Sequence, residues 1–220
     1  MSTTLHLAGD STCATYDMTS YPFTGWGQML HRFVGSRYQI KNYARNGRSS
    51  KSFINEGRLE EIKNNMNPGD YLLIQFGHND SKDDEQRYTE AFTSYQKYLK
   101  VYIDTARSKG AIPILITPLY RRYFDSRGEV KTVEEVHGDY PRAAIELAIK
   151  ERVGVIDLCE ISRKWLIRIG EEKSKKYFMN LKPGEFDNYP DGLVDNTHLS
   201  IAGGKKIAEI ISQEFKKFNL

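Results

Sequence analysis

Five short apolar runs punctuate the chain, at Thr4–Ala8, Tyr38–Tyr43, Tyr71–Phe76, Ile112–Thr117 and Val153–Leu158. Most are rich in β-branched or aromatic residues, and Gly, Pro or Asp interrupts or ends them, which is how strands read. Between them the spacing of apolar positions predicts helices over Trp26–Val34, Ser52–Asn64, Tyr88–Ser108, Pro141–Arg152 and Ser200–Phe218. In the last of these, Ile207, Ile211, Phe215 and Phe218 recur at four- and three-residue steps, a single buried stripe. Ser200 stands where an N-cap belongs. Strict alternation of strand and helix calls for a parallel sheet covered on both faces. The expected fold is therefore α/β, a three-layer α/β/α sandwich with a five-stranded parallel sheet in a flavodoxin-like arrangement. In such sheets reactive groups gather beyond the carboxyl ends of the strands.

Composition changes this picture little. A chain of 220 residues with 39% hydrophobic and 28% charged residues reads as one soluble globular domain over 1–220. The 32 basic and 29 acidic residues leave a net charge of +3, without the clustered basic footprint of a nucleic-acid binder. No run approaches the ~20 apolar residues of a membrane span. The start, Met1-Ser2-Thr3-Thr4, enters the first strand with no basic region or apolar signal core. The expectation is a cytoplasmic protein, or a secreted one if a leader has been removed. Two cysteines, Cys13 and Cys159, exclude a disulfide framework and read as reduced thiols, with one bridge left open. There is no repeat or linker. The long polar segment Leu119–Tyr140 reads either as a substrate edge or lid or as a solvated excursion.

The unusual residues follow the strands. Gly9-Asp10-Ser11-Thr12 follows the first, Asn46-Gly47-Arg48-Ser49 the second, and Gly77-His78-Asn79-Asp80 the third, while Asp195-Asn196-Thr197-His198 precedes the last helix. Acyl transfer needs a serine whose proton a neighbouring base accepts, and a carboxylate that holds the base in the right tautomer. It also needs donors waiting for the oxyanion. Ser11, His198 and Asp195 supply the first set, since residues three apart in a turn entering a helix lie close. Gly47, the Asn79 amide and the Ser11 N–H could supply the second. Singly each signal is weak: Gly-Asp-Ser is usually a turn, and Asp-x-x-His a surface pair.

Together the four segments resemble the four sequence blocks of the SGNH (GDSL-like) hydrolase superfamily, over nearly the whole chain. The resemblance implies Ser11 as nucleophile, His198 as base and Asp195 as its orienter, with the Ser11 N–H, Gly47 and Asn79 as the oxyanion hole. The first block reads Gly-Asp-Ser-Thr and not Gly-Asp-Ser-Leu. With Asn46-Gly47-Arg48-Ser49-Ser50-Lys51-Ser52-Phe53, Glu56-Gly57-Arg58, Gln75 to Asp80, Trp26-Gly27 and Asp195 to Ser200, the chain looks most like the rhamnogalacturonan acetylesterases. That likeness implies an acetylated oligosaccharide or polysaccharide as substrate and no cofactor. Other readings stay open: an SGNH enzyme acting on xylan, sialate, lysophospholipid or thioester, or a flavodoxin-like binding module without catalysis.

Arg48, Arg121 and Arg122 are candidates for holding an acidic sugar, because arginine matches carboxylate geometry; each also fits a solvated ion pair. His78 reads as a packing or hydrogen-bonding residue at the rim, and Cys13 as a poorer nucleophile than Ser11. His6, His31 and His137 show no metal-ligand spacing, so no metal is expected. No Gly-x-Gly-x-x-Gly, Walker loop or Gly-x-Ser-x-Gly elbow occurs.

Overall fold

The computed structural model describes residues 3–218; Met1 and Ser2, on which the leader expectation partly rests, lie outside them. All five expected strands form: β1 (Thr3–Gly9), β2 (Tyr38–Asn42), β3 (Tyr71–Gln75), β4 (Ile112–Ile116) and β5 (Gly154–Ile156). They pair in parallel in the order β2-β1-β3-β4-β5. From β1 the chain winds first to β2 on one side and then to β3, β4 and β5 on the other. The order therefore reverses at β1 and β3, and a crevice opens beyond their carboxyl ends.

The helices are α1 (Trp26–Met29), α2 (Ser50–Asn55), α3 (Arg58–Asn65), α4 (Gln96–Ser108), α5 (Val133–His137), α6 (Tyr140–Glu151), α7 (Leu158–Ile169), α8 (Glu171–Ser174) and α9 (Ile201–Phe215). Several expected boundaries shift for identifiable reasons. The helix anticipated over Ser52–Asn64 breaks into α2 and α3 at Gly57, whose φ of 76° ends a right-handed helix. The strand anticipated over Val153–Leu158 stops at Ile156, because the Asp157 carboxylate accepts from Glu160 N and starts α7, which apolar spacing alone did not suggest. Ser200 caps α9 as expected, accepting from Gly203 N. That helix ends at Phe215, and Phe218 sits on a following 3-10 turn. The segment 119–140 is not a bare loop, for it carries α5 and a short Phe124–Val130 bridge.

A pair of strands was not anticipated either. β6 (Phe178–Leu181) and β7 (Leu193–Leu199) form an antiparallel pair separate from the main sheet.

Both faces of the sheet are covered. Leu5, Leu7, Leu73, Ile114 and Ile156 pack beneath Trp26, Trp165 and the Ile207, Ile211 and Phe215 stripe of α9. On the other face Ala8, Leu72, Ile74 and Leu115 meet Phe53, Ile62, Leu99, Tyr102 and Leu147. Each fully buried aliphatic or Phe side chain contributes ~1.5–3 kcal/mol, so these two layers fix the strand ends on which the polar rim sits. Cys13 and Cys159 are both buried and free. Among the described residues no helix is long and apolar enough to cross a membrane.

Candidate active site

Ser11 lies in the turn leaving β1, 8% exposed. Cys13 N and Ala14 N donate to Asp10 O, and Thr12 N and Oγ1 donate to Asp10 Oδ1 at 2.9 and 2.8 Å. The other carboxylate oxygen of Asp10 faces His78 Nδ1 at 3.0 Å, and His78 Nε2 faces Leu119 O at 2.8 Å. Both ring nitrogens thus face oxygen atoms, one on each side, so the ring is held from two directions. Burial drives the Asp10 carboxyl upward, but the His78 charge and hydrogen bond, with Thr12, more than offset it and hold it below the ordinary range. His78 is therefore a strap: it ties the turn bearing Ser11 to the β3 loop and to the segment after β4. Sequence reading gave it hydrogen bonding at the rim, but not these partners.

The second part of the site lies on β7. Residues three apart on a regular strand point to opposite faces. Here the register jumps, with Phe178 opposite Leu199 but Met179 opposite Asp195, so residues 196–198 have no partner and bulge out. Within the bulge Thr197 N and His198 N donate to Asp195 Oδ1 at 2.8 and 3.0 Å. His198 Nδ1 meets Asp195 Oδ2 at 2.7 Å, and His198 Nε2 meets Ser11 Oγ at 2.9 Å. The expected closeness of Asp195 and His198 is present, but it comes from a bulged strand and not from a helix-entrance turn. Burial would raise the Asp195 carboxyl; hydrogen bonds from the His198 ring and backbone, the His198 charge and Thr197 N–H outweigh it and hold it at about 2. An ionised Asp195 can only accept, so Nδ1 carries the proton and Nε2 is free to take one from Ser11. Phe23 flanks the His198 ring with centroids 5.4 Å apart.

The third part is a set of donors. Gly47 sits between β2 and α2 with φ of 76°, a conformation that favours glycine. Ser49 caps α2 in a reciprocal box with Ser52. Asn79 Nδ2 donates to Arg48 O at 3.1 Å, which holds the amide against the Gly47 loop and leaves its second N–H over. Among the described residues neither the Ser11 nor the Gly47 N–H has a protein acceptor. Beneath them Asp80 accepts from Ser50 N at 3.0 Å, Gly77 N at 3.0 Å and Thr89 Oγ1 at 3.1 Å. Burial pushes the Asp80 carboxyl up to about 7, although the Ser50 and Thr89 hydrogen bonds pull the other way.

Ser11, Gly47, Asn79, Asp195 and His198 all line one cavity of about 510 Å³, together with Tyr16, Phe23, Asn46, His78, Lys82, Arg121, Tyr123 and Thr197. Of the three candidate arginines only Arg121 lines it. Arg48 faces away, with Nε on Glu56 at 2.9 Å and Nη1 on Asn46 O at 2.8 Å. Arg122 is buried, and its fork donates to Ser174 Oγ, Asn196 Oδ1 and Glu171 O at 2.8, 2.9 and 2.7 Å. It braces the bulge of β7 and leaves no open face for a sugar. Tyr16, Phe23 and Lys82 were not singled out from sequence, where they belong to no recurring pattern.

Fold and site together define an α/β esterase, one in which a hydroxyl after the first strand meets a histidine–aspartate pair from near the other end of the chain. The chain belongs to the GDSL-like lipase/acylhydrolase family, whose model matches residues 5–211. Rhamnogalacturonan acetylesterase RhgT of Bacillus subtilis strain 168 is 40% identical over 214 residues, covering 97% of this chain and 90% of the relative. The protein named Probable rhamnogalacturonan acetylesterase YesY, from the same organism, is 40% identical over 222 residues, covering 100% of this chain and 95% of its own. The crystal structure of the B. subtilis protein YXIM superposes with a TM-score of 0.83 at 29% identity, over 100% of this chain. This chain spans 58% of that longer one.

Proposed function

We propose that the chain is a carbohydrate O-acetylesterase that removes acetyl groups from pectic, rhamnogalacturonan-type saccharides. Ser11 Oγ attacks the ester carbonyl while His198 Nε2 takes its proton. The Ser11 N–H, the Gly47 N–H and the Asn79 amide receive the oxyanion. His198 then protonates the departing sugar hydroxyl, and the same ring activates water to free acetate from Ser11. Asp195 keeps the ring in the accepting tautomer and stabilises the imidazolium as it forms. The observation that carries this reading is the unbroken line from Asp195 Oδ2 through His198 to Ser11 Oγ, at 2.7 and 2.9 Å, beside the Ser11 and Gly47 N–H groups, which have no acceptor among the described residues. The substrate class is supported by two relatives of 40% identity whose names specify rhamnogalacturonan acetylesterases.

The test is acetate release from acetylated rhamnogalacturonan beside acetylated xylan, with Ser11→Ala as control. Preferential release from the pectic polymer, absent in the variant, supports both mechanism and substrate. Equal release from xylan would refute the pectic assignment, and turnover surviving in Ser11→Ala would remove Ser11 from the mechanism.

A further inference from the structure

The cavity carries a charge asymmetry that acyl transfer does not use. Arginine and lysine side chains, Arg121 and Lys82, line it with a single acid, Asp195, whose two oxygens are already engaged by His198 and Thr197. Of the Arg121 fork, Nη2 donates to His78 O at 3.2 Å, while Nε is buried without an acceptor. Among the described residues no carboxylate pairs with Arg121 or with Lys82. Other arginines here close on acids: Arg48 on Glu56, Arg87 on Asp84 and Arg163 on Glu160. Arg122, the next residue, has an acceptor for each nitrogen of its fork. A half-buried guanidinium with donors left over gains most from an anion brought by a ligand.

We infer that Arg121 and Lys82 form a carboxylate subsite, which takes the acid group of a uronate sugar neighbouring the acetylated one. This rests on the saccharide reading above and narrows it to acidic chains. Arg121 enters from the segment after β4 and Lys82 from the loop after β3, the loop that also carries Asn79. The planar arginine supplies orientation, and the more exposed lysine supplies a point charge that salt screens. His78, also in the cavity wall, has both ring nitrogens turned to Asp10 and Leu119 O and none left for a ligand.

The experiment uses inhibition, so that it does not depend on turnover of any pectic ester. A deacetylated galacturonate-containing oligosaccharide and its carboxyl-reduced counterpart compete with 4-nitrophenyl acetate. The wild-type protein should bind the charged oligosaccharide ~10-fold or more tightly than the reduced one, as expected for charge-assisted hydrogen bonds. Arg121→Gln should collapse that ratio toward one, and Lys82→Gln should reduce it and flatten its salt dependence. The ratio is taken within each variant, so altered turnover cannot imitate the effect. Should Arg121→Gln not fold, Lys82→Gln, changed at an exposed side chain, still decides. Equal inhibition by the two oligosaccharides, or a ratio unchanged in both variants, would overturn the subsite. Neither result bears on whether acetylated rhamnogalacturonan is the substrate, which acetate release tests separately.

Discussion

Replacing Asp195 by Asn exchanges one oxygen for an NH₂ group and should nearly abolish turnover. Asp195 Oδ1 accepts from two backbone N–H groups, those of Thr197 and His198, so an asparagine must turn its carbonyl oxygen toward them. Its NH₂ then takes the place of Oδ2, 2.7 Å from His198 Nδ1, and donates to it. The ring proton is forced onto Nε2, where it faces Ser11 Oγ and cannot accept the serine proton. A misplaced tautomer of this kind costs ~10⁴-fold in kcat in a serine protease, about 5 kcal/mol of barrier. Stability should respond separately. Asp195 is held at about 2 against an ordinary 3.8, and each unit corresponds to ~1.4 kcal/mol. An acid depressed on folding stabilises fully above its ordinary value and loses that contribution as pH falls through the folded one. Asp195→Asn should therefore cost up to ~2–3 kcal/mol near neutrality and little at about pH 2. Burst and steady-state kinetics on 4-nitrophenyl acetate, with urea melts at two pH values, read both arms. A kcat within tenfold of wild type, in a folded variant, would refute the tautomer reasoning.

Other substitutions test the supporting structure. Gly47→Ala meets no atom within 4 Å, so its cost is the left-handed backbone alone, ~1–2 kcal/mol in urea unfolding. Asp80 is raised on folding, so the folded state holds its proton more tightly; stability should fall as pH rises from about 4 to about 7. Asp80→Asn should remove that slope, as urea midpoints across the range would reveal, and an unchanged slope would assign it to another group. His78→Gln leaves Asp10 buried without its counter-ion and should destabilise by ~3–5 kcal/mol, measured by thermal or denaturant unfolding. A loss below ~1 kcal/mol would contradict that role.

Much of the fold was legible because five apolar runs are short, sharply bounded and separated by helical spacing. Ser11, Gly47 and Asn79 could be singled out because each lies in the segment that leaves a strand. What stayed hidden depends on contacts distant in sequence. The run Leu193–Leu199 has no clean alternation, so β7 is defined only by pairing with β6, and its bulge only by that register. Arg121 and Arg122 are neighbours in sequence with opposite fates. Arg122 is held by partners 49 to 74 positions away, and no local pattern announces them. The α7 helix was missed because its cap, Asp157, sits where a strand was expected to continue.

Ser11 and His198 are 187 positions apart, and the histidine rides on a hairpin that pairs with no strand of the main sheet. All five strands of the sheet precede the hairpin in the chain, and Ser11 meets His198 only where the hairpin is docked with its bulge closed around Asp195. Esterase turnover is thus a reporter of late assembly: protease nicking in the hairpin should silence it while the spectroscopic signature of the sheet persists.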